Sequence, residues 1–128
     1  MTDFQAQFEW IEPGILSMVL EGAMTEMNVR ALIEDRIRYV DAAGVERYVL
    51  LIDTRQVRLT FVNNRLGKAV LESDPRMICA CVVGNSMTTQ IIASVVGKVS
   101  RLPLEYFTRL EAALERARQV VAQRQAAR

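Results

Sequence analysis

Residues 48–62, "YVLLIDTRQVRLTFV", open with five apolar residues that stop at Asp53, Thr54 and Arg55. A segment apolar on both faces is what a strand needs when helices cover both sides of a parallel sheet. Residues 77–83, "MICACVV", have the same character, so the two segments are read as the central strands of one sheet. The polar triplet is then where a buried strand reaches water. It stands at the carboxyl end of that strand, the edge at which open α/β sheets usually bind ligands.

The flanking sequence fits this frame. In "FEWIEPGILSMVLEG" two short strands are joined by Pro13 and Gly14, because Pro presets the first central turn position and Gly accepts positive φ at the second. In the second arm Leu16, Met18 and Leu20 make one face wholly apolar, and Ser17, Val19 and Glu21 leave the other mixed. "TEMNVRALIEDRIRYVDAAG" places Val29, Leu32, Ile33, Ile37 and Val40 at helical spacing, with Thr25 as N-cap and Gly44 just past the end. Glu34 and Arg38 are set for an i,i+4 pair on its outer face.

Between the central strands, Val62, Leu66, Ala69 and Val70 predict a short helix, weakened by Gly67 and stopped by Asp74 and Pro75. Residues 85–102 carry β-branched side chains that suit a strand. Their apolar period (Ile91, Ile92, Val95, Val96, Val99), their length and a cap at Asn85 or Ser86 predict a helix. "LPLEYF" supplies a last short strand. The final helix opens with a capping-box pattern, Thr108 to Glu111, and keeps Leu110, Ala113, Leu114, Ala117, Val120 and Val121 on one stripe. No repeat, linker or boundary divides the chain, so residues 1–128 are expected to form a single domain with residues 123–128 frayed.

At 128 residues and 51% hydrophobic content the chain can bury one core. Sixteen Lys and Arg against fifteen Asp and Glu leave a net charge of +1, so no global field draws nucleic acid, anionic lipid or acidic substrates. The arginines of the last helix, Arg109, Arg116, Arg118 and Arg124, are interleaved with glutamates and read as a solvated face. There is no histidine, which removes the commonest proton-transfer side chain near neutral pH and the commonest metal ligand. Cys79 and Cys81 alternate onto one strand face, where a disulfide is geometrically poor, and are read as small buried hydrophobes in a reducing cytosol. The first residues lack a basic segment followed by an apolar core, and no run approaches the ~20 apolar residues that span a bilayer. A soluble, cytoplasmic protein with no membrane span, no metal and no cofactor is expected.

The order strand, strand, helix, strand, helix, strand, helix, strand, helix gives an α/β fold: a mostly parallel sheet with one antiparallel N-terminal hairpin strand and about four helices. In order and size it resembles the SpoIIAA-like superfamily, which holds the STAS domains (anti-sigma-factor antagonists) and the related CRAL-TRIO lipid-binding domains. "ILSMVLEGAMT" is similar to the family's opening strand, which ends in Gly and leads to the first helix. "YVLLIDTRQV" is similar to its central strand, which ends in Asp. In phosphorylatable STAS domains an Asp-Ser-Ser-Gly type motif follows that strand and opens a helix. The corresponding stretch here is "TFVNNRLG", with Val62, Asn63 and Asn64 where the hydroxyls would stand. No phosphorylation is expected, and Thr60 is the sole nearby hydroxyl that could substitute.

Two loops are candidate ligand- or partner-binding sites. Asp53, Thr54 and Arg55 form one, although a lone carboxylate without histidine, nucleophile or second acid does not make a hydrolase. An Asp53–Arg55 pair or a turn bond is the structural alternative. The other is Gly84, Asn85 and Ser86, where Gly84 allows close backbone approach and the next helix offers free amides, with helix capping as the alternative. Neither matches a dinucleotide loop or P-loop. If the strands are parallel, both loops share one sheet edge. The resemblance then implies a non-enzymatic regulatory module that binds a protein partner or small ligand there, with an apolar-ligand or lipid carrier as the alternative. The aliphatic cluster Ile91 to Val99, with Val120 and Val121, predicts a homodimer formed through helix surfaces rather than the sheet edge.

Overall fold

The computed structural model describes residues 3–59 and 64–126. Thr60, Val62 and Asn63, and the last two residues of the tail, lie outside them.

The elements come in the expected order: β1 (Gln5–Glu12), β2 (Ile15–Met24), α1 (Glu26–Ala43), β3 (Tyr48–Leu59), α2 (Asn64–Glu72), β4 (Met77–Val83), α3 (Met87–Val99), β5 (Leu104–Phe107) and α4 (Leu110–Ala126). Gly14 closes the β1–β2 hairpin at φ 84° and Gly44 ends α1 at φ 67°, conformations a side chain disfavours. Thr25 caps α1, its N–H and hydroxyl both donating to Asn28 Oδ1 at 2.8 and 2.9 Å. The outer-face pair differs from expectation: Arg38 reaches back three residues to Asp35 at 2.8 Å rather than to Glu34. Helix α4 begins at Leu110, past the residue a Thr108 cap requires, and runs through residues 123–126 of the tail expected to fray.

The five strands lie side by side in chain order, β1 antiparallel to β2 and every later neighbour parallel. Parallel crossovers are right-handed, so three successive steps in one direction put α1, α2 and α3 on the same face. They bury Leu16, Met18, Leu50, Ile52, Ala80 and Val82. Helix α4 returns beneath the other face and covers Ile15, Val49, Leu51, Cys79, Cys81 and Val83 with the small residues Ala113 and Ala117. Both cysteines are free and buried there, and the Cys81 thiol, hydrogen bonded to Cys79 and desolvated, is pushed well above the ordinary range. Two α4 arginines anchor the helix to opposite edge strands: Arg118 to Glu12 at 2.6 Å and Arg116 to Glu105 at 2.7 Å.

The central strand is longer than the apolar run suggests. β3 pairs with both neighbours as far as Asp53, which sits opposite Val19 and Val83, and then continues to Leu59 along β2 alone. Between the Val19–Asp53 and Glu21–Gln56 pairs β3 carries one extra residue, a bulge at Thr54–Arg55. Facing reverses across it: Val57 and Leu59 join the core to which Leu50 and Ile52 belong. The triplet is therefore not the end of the strand but the point where it leaves β4.

A buried polar network at the opposite edge of the sheet has no counterpart in the sequence reading. Tyr48 Oη donates to Asp74 Oδ2 at 2.8 Å, while Arg76 donates to Asp74 Oδ1 through Nε at 2.8 Å and through its backbone N–H at 3.0 Å. Arg36, 1% exposed, donates to the Val70 carbonyl and to Ser73 Oγ and so satisfies the last turn of α2.

Candidate functional site

Strand alternation divides the first candidate loop between the two faces. Asp53 follows Val49 and Leu51 onto the α4 face, where Arg55 folds back on it. Arg55 Nε donates to Oδ1 at 3.0 Å, its terminal nitrogen to Oδ2 at 2.8 Å, and its backbone N–H to Oδ1 at 3.0 Å. The hydrogen-bonded Arg55 side chain holds the Asp53 carboxyl below the usual carboxylate range despite partial burial. A carboxylate gripped on both oxygens is a poor proton acceptor and leaves no free base at this position. Thr54 points the other way, beneath α1–α3, and donates from Oγ1 to the Val83 carbonyl at 2.7 Å.

The second candidate loop meets Thr54 through Gly84. The Gly84 N–H donates to the Phe107 carbonyl at 3.0 Å, extending the β4–β5 contact past the end of β4. A Cβ at Gly84 would lie 2.6 Å from Tyr106 Oη and 2.9 Å from Thr54 Oγ1. The close approach this glycine allows is thus made by the chain's own Tyr106, whose hydroxyl continues to the Ser86 carbonyl at 3.3 Å. Ser86 is the N-cap of α3: its Oγ accepts from the Thr89 N–H at 3.1 Å. Asn85 is exposed and makes no hydrogen bond among the described residues.

The sheet therefore brings Thr54, Gly84 and Ser86 together on one side of its carboxyl edge and turns Asp53 and Arg55 toward the other. Thr60 lies outside the described residues. Among the described residues no group of three or more Cys, Asp or Glu could hold a metal ion. Among the described residues no helix is long and apolar enough to cross a membrane.

Sequence reasoning missed what stands at the helix starts on this edge. Met27, the second residue of α1, is 87% exposed, Met87, the first of α3, is 76% exposed, and Ile91 one turn later is 57% exposed. The signal was available, since Met27 lies off the apolar stripe of its helix and Met87 directly follows the cap. Along α3 the predicted stripe splits. Val96 is buried and Ile92 and Val95 are half-buried, whereas Met87, Ile91 and Val99 are exposed; Met87, Ile91, Val95 and Val99 follow one another at four-residue spacing. Val120 and Val121, expected to add to that exposed area, pack instead beneath the sheet with Ile15.

The fold is the SpoIIAA-like fold. A crystal structure of an uncharacterised protein with a SpoIIAA-like fold from Shewanella loihica superposes with a TM-score of 0.64 at 15% identity, covering 91% of this chain and 98% of the other. An anti-sigma factor antagonist from Mycobacterium paratuberculosis superposes with a TM-score of 0.63 at 20% identity, covering 91% and 95%. No protein-family model and no curated protein matches the sequence.

Proposed function

We propose that this chain is a non-enzymatic regulatory module that binds a protein partner at the carboxyl edge of its sheet. The observation that carries the reading is the exposure of Met27 at the start of α1 and of Met87 and Ile91 at the start of α3, where the polar Asn85 and Ser86 directly precede Met87. Methionine is flexible and polarisable, which suits it to interfaces, and an apolar centre with a polar rim is the usual anatomy of a docking patch. The fold shared with an anti-sigma factor antagonist supports the same class of role. The engaged Asp53 carboxylate favours recognition over acid–base chemistry. The lipid-carrier alternative gains nothing from the cavity beneath α1–α3, whose volume of about 120 Å³ is short of an acyl chain. The test is comparative capture from lysate of the source cells with the wild-type chain and with the double variant Met27→Glu, Met87→Glu. Both substitutions are at exposed positions, so the variant should keep the wild-type melting temperature and lose the specifically captured protein. Capture unchanged by the double substitution would refute the assignment of the surface.

A further inference from the structure

Between the sheet and α1–α3 lies a partly open apolar pocket of about 120 Å³. Its walls are aliphatic, with Ile52, Val82, Ile92, Ala93 and Val96 among them, and among the described residues no Asp, Glu, Lys or Arg side chain lines it. The two hydroxyls that reach it are already engaged: Thr54 Oγ1 donates to Val83 O at 2.7 Å, and Thr89 Oγ1 accepts from Ser86 Oγ at 2.8 Å. A buried water needs two to four polar partners, and the described walls offer only the remaining capacity of these two hydroxyls. One side is closed by α2 and α3, which approach so tightly that a Cβ on Gly67 would lie 2.5 Å from Val96 Cγ2.

We propose that this pocket is a binding site for a small, uncharged, apolar molecule of about the size of benzene, a ligand known to occupy a dry apolar cavity of roughly 150 Å³. A charged ligand would lose its hydration with nothing to replace it. A long chain does not fit the volume. An apolar molecule of the right size fills the missing van der Waals contacts of the walls and displaces no hydrogen bond. The site is separate from the partner-binding surface, and neither depends on the other.

Benzene at about 5 mM should raise the melting temperature by about 3 °C, taking a dissociation constant near ~1 mM. It should also shift the methyl resonances of Ile92, Val96 and Val82. Acetate at the same concentration should do neither. Ala93→Leu places three added carbons in the pocket and should abolish both benzene effects. Absence of any response in the wild-type chain, an equal response to acetate, or an undiminished response in folded Ala93→Leu overturns the proposal. If Ala93→Leu does not fold, xenon-pressurised crystals of the wild-type chain decide: xenon in the pocket supports the site, and an empty pocket with xenon bound elsewhere overturns it.

Discussion

Tyr48→Phe removes one oxygen from a 1% exposed side chain and leaves the ring and its edge contact with Trp10 in place. What it takes from the fold is the donor 2.8 Å from Asp74 Oδ2, on a carboxylate that is itself 1% exposed. Burial pushes the Asp74 carboxyl up, but hydrogen bonds from the Arg76 side chain and backbone and from Tyr48 outweigh it and hold the group below its ordinary value. A hydrogen bond to a charged group contributes about 1.5–3 kcal/mol, and here its loss also strands a buried carboxylate oxygen. We expect a loss of about 2 kcal/mol at pH 7, equivalent to roughly 6–8 °C in melting temperature for a chain of this size. Because the folded pKa is depressed, the contribution of Asp74 is complete above the unfolded value of about 3.9 and is lost as pH falls through the lower folded value. Tyr48→Phe raises that folded value, so the difference between variant and wild type must shrink as pH falls below about 3.9. Urea titrations followed by circular dichroism at pH 7 and at successively lower pH measure both. A loss under about 0.5 kcal/mol at pH 7, where a charged hydrogen bond should cost three times that, would refute the reasoning. So would a loss that stays constant through the acid range.

Further outcomes follow from the packing. Gly84→Ala should destabilise by about 1–3 kcal/mol because its Cβ would fall 2.6 Å from Tyr106 Oη and 2.9 Å from Thr54 Oγ1, and in thermal melts its cost should be smaller in a Tyr106→Ala background than in the wild-type chain. The later part of α3 at Val95 and Val99 is proposed to pair with its copy in a homodimer. Light scattering at micromolar concentration should give twice the chain mass, and Val99→Lys, at a 46% exposed position, should halve it without unfolding. A single-chain mass unchanged by dilution rules the dimer out.

The element order was legible because each segment's apolar period matched the structure it adopts. The two runs apolar on both faces became the buried strands, and Pro13–Gly14 and Gly44 marked a turn and a helix end. The strand order was not legible, since no local pattern says which neighbour a strand pairs with. The same limit hid the continuation of β3 beyond Asp53, where pairing with β2 alone permits exposed residues such as Arg55 and Gln56. Gly67 read as a weak point of α2, and its missing side chain is what admits Val96. Arg36 could have been found: it occupies a core position in the series Val29, Leu32, Arg36, Val40, where a charge needs buried acceptors. Of the two candidate loops, their shared sheet edge and the Asp53–Arg55 pair were legible. The bulge at Thr54–Arg55, which reverses the facing of Val57 and Leu59, was not, because it is set by the register with β2.

The six methionines provide an internal reference for the proposed surface. Met27 and Met87 are exposed, while Met18, Met24 and Met77 are no more than 4% exposed. Methyl spectra of chain labelled with 13C at the methionine ε position should be recorded as the captured partner is added. Docking at the carboxyl edge should shift and broaden Met27 and Met87 and leave Met18 and Met77 in place. A partner that binds stoichiometrically while the Met27 and Met87 signals stay unchanged would contradict it.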